Sequence, residues 1–393
     1  MVDYVSNTRA AGRARRREAA DVASFVRRLD WVLIGAVGAI VGYGLWAIAG
    51  ITKHDVDGDP DYYLTRQIVF ACVGAVGLLL AALIDPDLYR TRWRWIFGGT
   101  TFVIAIVFLT GPIRGSKRWL DLGFFRFQPS EFGKVLFILA LAGFLAERAR
   151  RLNEPRTTLT ALGLASIPIF LVFLQPDFGT ALVYCAAIGA VLFVAGTPWK
   201  HLAPLGAGAL LLAVLVLGVL PGVGLPVLKD YQQKRLTGFL HPDIDPGGTT
   251  YNLTQSKNAI GAGQLDGRGI DNATQTTLNF LPEHHTDFVF ASLAEQRGFA
   301  GASILLMLYL LVVWRGFRVV AIARDPFSAI VAGGLVFALL FQIFVNVGMT
   351  MGIAPITGIP LPFVSVGGSS MIANLVGVGL LLAIHVRARG AGR

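Results

Sequence analysis

Ten stretches of this chain are apolar over the length that a bilayer's hydrocarbon core demands. They fall at about 31–51, 66–84, 95–113, 131–147, 158–175, 179–197, 202–222, 287–312, 326–350 and 369–387. A spanning helix needs roughly 20 residues to cross about 30 Å, and inside lipid every backbone polar group must be satisfied within the helix or a closed barrel. The pattern therefore predicts an all-α polytopic membrane protein with ten transmembrane helices. Charge supports this reading: Asp, Glu, Lys and Arg make up 15% of the chain against 54% hydrophobic residues, whereas soluble domains carry about 25% charge. The 46 glycines fit as well, because Gly lets helix backbones approach closely in lipid.

Several classes are excluded by the same inspection. Cys72 and Cys185 both lie inside apolar runs, which leaves no disulfide framework. The six histidines show no metal-ligand spacing such as HExxH, so no dedicated metal site is expected. There is no Walker A loop and no GxGxxG after a strand, so nothing points to nucleotide-driven transport. The net charge of +10 is not the footprint of nucleic acid, because its distribution is a topology signal. Arg9, Arg13, Arg15, Arg16, Arg17, Arg27 and Arg28 all precede the first span. Roughly 30 mostly polar residues lead into a first apolar run of full span length, unlike a cleavable signal peptide.

An even number of spans puts both termini on one side, and the positive-inside rule makes that side cytoplasmic. Arg90, Arg92 and Arg94 follow span two; Arg148, Arg150, Arg151 and Arg156 follow span four. Lys200 follows span six; Arg315, Arg318 and Arg324 follow span eight; Arg387, Arg389 and Arg393 close the chain. The expected organisation is a basic cytoplasmic segment at 1–30, a ten-helix membrane domain at 31–387 and a cytoplasmic tail at 388–393. Between spans seven and eight, 225–287 forms a long extracytoplasmic loop. Its Tyr231, Phe239, Tyr251, Phe280 and Leu281 favour an ordered, membrane-hugging structure.

One short outer loop breaks the charge bias. Residues 112–130 carry Arg114, Lys117, Arg118 and Arg126. Cations kept on the disfavoured side suggest an anionic partner such as a phosphate group; the alternative is snorkelling to lipid headgroups.

Ionisable groups at span edges are costly and mark function by default. Gln128-Pro129-Ser130-Glu131 opens span four, with Lys134 three residues on, so Glu131 and Lys134 share a helical face. Ser130 is a candidate N-cap. The pair is either a structural ion pair or, with the helix N-terminus, part of an anion site. Asp177, in Gln175-Pro176-Asp177, either caps span six or orients a group in an outward-open cavity. In Leu281-Pro282-Glu283-His284-His285-Thr286-Asp287, the Asp287 carboxylate beside Glu283 and His285 is either a helix cap or a general base whose basicity desolvation raises. The stretch from Thr357 through Ser369-Ser370, rich in Pro and Gly, cannot be a regular helix. It is either a hinge or the lining of a wet cavity.

In this order, Arg114-Gly115-Ser116-Lys117-Arg118-Trp119, Gln128 to Lys134, Gln175 to Thr180, Leu281 to Phe290 and Pro360 to Ser370 resemble the motifs of the SEDS (shape, elongation, division, sporulation) family. Thr357 to Pro362, and Tyr251 to Gly261, look more like its RodA-type elongation members than its FtsW-type division members. The first 30 residues lie outside the resemblance. It departs at Gly261-Ala262-Gly263-Gln264, at Ala273-Thr274-Gln275 and at Val366, none of which removes a titratable group.

The resemblance implies a peptidoglycan glycosyltransferase of the bacterial cytoplasmic membrane that polymerises lipid II on the outer face. Its catalytic acid carries over to Asp287, and its substrate-site residues to Glu131, Lys134 and Asp177. Around these, Arg114, Lys117, Arg118, Glu283, His285 and Ser369 complete the expected substrate site. Expected partners are lipid II, the undecaprenyl-diphosphate-linked glycan, membrane lipids and a class B penicillin-binding protein. A divalent cation, Mg or Mn, would suit a departing diphosphate, although the sequence shows no site for one. The competing classes are a lipid II flippase or other transporter, which also needs polar groups within a bundle, and a non-catalytic scaffold.

Overall fold

A computed structural model describes residues 24–111, 117–121, 123, 125–220, 238 and 250–390. Among them lie α1 (Trp31–Ile51), α2 (Tyr62–Leu83), the short α3 (Pro86–Thr91), α4 (Trp93–Ile106), α5 (Pro129–Ala146), α6 (Pro155–Leu174), α7 (Phe178–Ala195) and α8 (Trp199–Val214). After these come α9 (Tyr251–Gly263), the single turn α10 (Thr274–Thr277), α11 (Val289–Ile322), α12 (Pro326–Met351) and α13 (Gly368–Gly390). A two-residue hairpin pairs Leu120–Asp121 with Arg126–Phe127 just before α5.

Nine of these helices are long and apolar enough to cross a membrane, taking α8 through to Val219. The run expected at 95–113 is shorter than a full span: its helical part is Trp93–Leu109. The run expected at 287–312 reaches ten residues further, to Ile322. The basic segment is described only from residue 24 and the tail only to residue 390; most of the long loop before residue 250 also lies outside the described residues.

Helix starts follow local chemistry. Asp30 accepts from Leu33 N, Asp177 from Thr180 N and Asp325 from Ser328 N, each covering an otherwise unpaired first-turn donor. Pro129, Pro155 and Pro326 sit at first helical positions, where the missing N–H costs nothing. Ser130 is not the N-cap of α5: Gln128 holds that position and Ser130 lies within the first turn.

Burial separates inner from outer helices. α5, α12 and α13 bury most of their length, while the helix from Trp199 to Val219 buries none of it and faces outward. α13 packs along α2, α12 lies between α7 and α11, α11 also contacts α1, and α5 packs on α4 and α7. This arrangement brings the N-termini of α5, α7, α11 and α13 to one end of the bundle.

Candidate active site

Those four N-termini open onto a cavity of about 390 Å³. Gln128 and Glu131 reach it from α5, Asp177 and Thr180 from α7, Glu283, Thr286 and Asp287 from the turn before α11, and Gly367, Ser369 and Ser370 from the start of α13. Arg118 enters from the segment before α5, and Thr357, Gly358 and Pro360 from the segment after α12. Each helix N-terminus carries about half a positive charge and outward-pointing N–H groups. Four together make a strongly anion-attracting end, with the carboxylates set into it as exceptions that call for a role.

The cavity wall is held by side chains bonded to backbone. Asn346 Nδ2 donates to the carbonyls of Asp287 (2.9 Å) and Ile359 (2.8 Å), tying the start of α11 to the irregular 352–367 segment through α12. Ser365 Oγ donates to the Thr286 carbonyl at 2.5 Å and accepts from Leu361 N at 2.8 Å. Gln67 of α2 donates to the Ser365 carbonyl and accepts from Gly367 N. Glu283 holds a left-handed backbone, φ +52°, within the turn, and such conformations persist only where surroundings over-determine them. Gly358 has φ +71°, and a Cβ there would stand 3.3 Å from Asp287 Oδ2. Glycine is needed for the backbone to pass that close to the carboxylate.

On the opposite wall, Gln128 Nε2 donates to Asp177 Oδ2 at 2.9 Å while Asp177 Oδ1 caps α7. Asp177 thus both caps the helix and lines the cavity. Lys134 is within 2.8 Å of Glu131 Oε2 and also donates to Gln342 Oε1 on α12. It stands behind Glu131 and outside the cavity lining. Ser369 Oγ accepts from Gln128 N at 2.9 Å, fixing α13 to the start of α5. Arg118 Nε is shielded from solvent without a hydrogen-bond partner among the described residues, a buried donor at the cavity edge.

The family described as Cell cycle protein, FtsW/RodA/SpoVE, matches residues 26–390. The chain belongs to this SEDS family. It is 39% identical over 360 residues, 91% of this chain and 93% of the relative, to the peptidoglycan glycosyltransferase MrdB of Escherichia coli strain K12. It is 37% identical over 371 residues to a probable peptidoglycan glycosyltransferase FtsW of Thioalkalivibrio sulfidiphilus, covering 91% of this chain and 90% of that one. A solved structure of a peptidoglycan synthase complex that coordinates polymerization and crosslinking superimposes with TM-score 0.76 at 33% identity, covering 92% of this chain and 99% of that chain. The protein is therefore a multi-pass SEDS protein of the bacterial cytoplasmic membrane.

Within this SEDS chain the expected site residues divide. Arg118, Glu131, Asp177, Glu283, Asp287 and Ser369 meet at one cavity. Lys117 is exposed and reaches back to the Phe108 carbonyl at 3.3 Å. His285 turns from the cavity toward Asp55 and stacks on Tyr63 with ring centroids 4.5 Å apart. Arg114 lies outside the described residues. Asn346 organises the cavity but carries no charge, so the cost of an ionisable group at a span edge does not mark it in the sequence. Asp55 was missed because its partners lie 229 residues away. With His284 and His285 it forms a group of metal-ligand type, where histidine spacing alone pointed to none. Nearby, the Lys53 ammonium bonds Asp271 at 2.9 Å and holds that exposed carboxyl below its ordinary range.

Proposed function

We propose that this protein polymerises lipid II into glycan strands on the outer face of the cytoplasmic membrane, with Asp287 as general base. The observation that carries the reading is the meeting of Asp287 with four helix N-termini and Arg118 in one cavity. An acceptor sugar hydroxyl attacks the anomeric carbon of the donor. Asp287 takes the hydroxyl proton as the new C–O bond forms. The bond from the anomeric carbon to the diphosphate oxygen breaks, and undecaprenyl diphosphate leaves with the electron pair. The developing charge would be met by Arg118 and the positive ends of the helices that open onto the cavity. Lys117 and Lys134 add positive potential around this end, and the sequence assigns Arg114, outside the described residues, the same role. Asp177, Glu131 and Ser369 hold the walls, and Glu283 shapes the turn that presents Asp287. Glu283 and Asp287 are hard oxygen donors of the kind Mg or Mn takes; such an ion would screen the diphosphate.

The reading includes ten spans with Trp93–Leu109 as a short third, both termini cytoplasmic and the long loop outside. It also includes an elongation role alongside a class B penicillin-binding protein, in keeping with the 39% identity to MrdB. The test is reconstitution of the purified chain with that partner and lipid II. Wild type is expected to make glycan polymer, and Asp287→Asn to lose about 10²–10⁴-fold in rate while still binding lipid II. Undiminished polymerisation by Asp287→Asn would remove the general base, and translocation of lipid II without polymer would replace the enzyme by a flippase.

A further inference from the structure

We infer that Asp55, His284 and His285 form a transition-metal site, with Zn2+ the best-matched ion, that clamps the α1–α2 loop to the turn carrying Asp287. The argument begins with one ring. His284 Nδ1 lies 3.0 Å from the Leu281 carbonyl, which can only accept, so Nδ1 bears a proton. Nε2 of the same ring then faces both Asp55 oxygens, at 2.9 and 3.0 Å. A neutral ring would point a lone pair at a carboxylate there, so a proton or a metal ion has to lie between them.

The second ring favours the ion. His285 Nδ1 stands 3.4 Å from Asp55 Oδ2, and all three donor groups have ligand atoms within 4.8 Å of one another. Protons would have to sit on both rings to serve these contacts as separate hydrogen bonds, whereas a single divalent ion accepts all three ligands. Donor atoms around a tetrahedral Zn2+ stand about 3.3 Å apart; His285 Nδ1 already stands 3.4 Å from Asp55 Oδ2, and the His284 contacts, at hydrogen-bond distances of 2.9 and 3.0 Å, would open by a few tenths of an ångström on binding. Two imidazoles and one carboxylate suit Zn2+ better than Mg2+, which prefers oxygen. The Leu281 carbonyl on the far nitrogen of His284 is the outer-shell partner that metal-bound histidines use to fix tautomer and orientation. Asp55 and His284 side chains are 8% and 5% exposed, so the site is sheltered.

The consequence is positional. The His285 carbonyl accepts from Val366 N at 3.0 Å, so a metal here would fix the 281–287 turn from its other side. The metal site stands whether or not the chain is a glycosyltransferase; only its effect on Asp287 rests on that reading.

The experiment uses the full chain in detergent, stripped with a chelator and titrated with Zn2+ by calorimetry and thermal unfolding. One equivalent is expected to bind and to raise the unfolding temperature. Asp55→Asn and His284→Gln should each weaken binding by more than about tenfold, the loss that even outer-shell changes produce, and should abolish the thermal shift. Asp59→Asn and His54→Gln, exposed neighbours on the same loop, should retain both. Absence of saturable binding to folded wild type, or binding that survives Asp55→Asn and His284→Gln, overturns the site. If those variants do not fold, Co2+ on wild type decides: a four-coordinate visible spectrum supports the site, and that of hydrated Co2+ overturns it. Because no readout uses lipid II, failure here is separate from failure of the polymerase reading.

Discussion

Glu131 and Lys134 stand one helical turn apart on α5 with side chains 3% and 6% exposed, the most deeply placed ion pair at the cavity end among the described residues. Desolvating two charges is costly, and their attraction offsets the cost only while both remain. Lys134→Met, which leaves a buried carboxylate, should therefore cost about 3–5 kcal/mol, seen as a lower unfolding temperature in detergent. Pairing it with Glu131→Leu should recover most of that loss, because the buried pair then becomes an apolar contact. Wild-type stability in Lys134→Met would show that the pair is not buried. Activity of the double variant separates two roles: a folded but inactive protein assigns the charges to chemistry, and an active one assigns them to packing. The pair itself was legible, since i, i+3 spacing puts two side chains on one face. Its third member was not. Gln342 lies 208 residues away on α12, and local periodicity does not record which helices face each other. The same limit hid Asp55 from the histidine pair, whereas Asp287, Glu283 and Asp177 stood out because charge at a span edge is costly wherever the helices pack.

At the scale of elements, α11 shows how a break in one helix builds the cavity's support. Gly298 has φ +66° inside this 34-residue helix, and the backbone groups freed there are taken up by the segment after α9. Arg268 N bonds the Glu295 carbonyl and Gly269 N the Gln296 carbonyl; Phe299 N and Ala300 N bond the carbonyls of Gln264 and Leu265. A freed backbone group at membrane depth needs such a partner. The Glu295 side chain adds a second tie, accepting from Gln275 N (2.9 Å), Thr276 N (3.0 Å) and Thr276 Oγ1 (2.7 Å) of α10. Gly298→Ala should then destabilise by more than the roughly 1–3 kcal/mol of strain in a backbone region that is essentially glycine-only, because its Cβ would meet the Leu265 carbonyl. The expected signs are a lower unfolding temperature and faster proteolysis between 263 and 280; unchanged protection would show that the segment is held elsewhere. Glu295→Gln should weaken the tie by about 1–3 kcal/mol, the cost of leaving a buried donor unmet. The sequence showed an apolar run here and gave no sign of the break, because one glycine among 46 does not announce a positive φ.

For the whole molecule, hydropathy locates spans but not their neighbours. α5 and the helix from Trp199 to Val219 are both apolar, yet 83% of the first's apolar stretch is buried and none of the second's. Lipid tails are as apolar as a helix interior, so no amphipathic pattern distinguishes the two surroundings. Charge is the whole-molecule signal that survives, and it predicts sidedness. Cys72 and Cys185 are free thiols; with both replaced by Ser, single cysteines can be read by a membrane-impermeant maleimide on intact cells. Lys117→Cys and Asp271→Cys, exposed at the cavity end, should label from outside. Lys200→Cys and Arg389→Cys, exposed where the positive-inside rule assigns the cytoplasm, should label only after permeabilisation. The third span is the point under test, because the helix Trp93–Leu109 is shorter than its neighbours. If it failed to cross, Lys117 would stay on the side of Arg90 and Arg94, and the sides of every later site would be reversed. Labelling of Lys200→Cys in intact cells, with protection of Lys117→Cys, would thus reduce the count to nine and place the Asp287 cavity on the cytoplasmic face. An extracytoplasmic polymerase could not work from there.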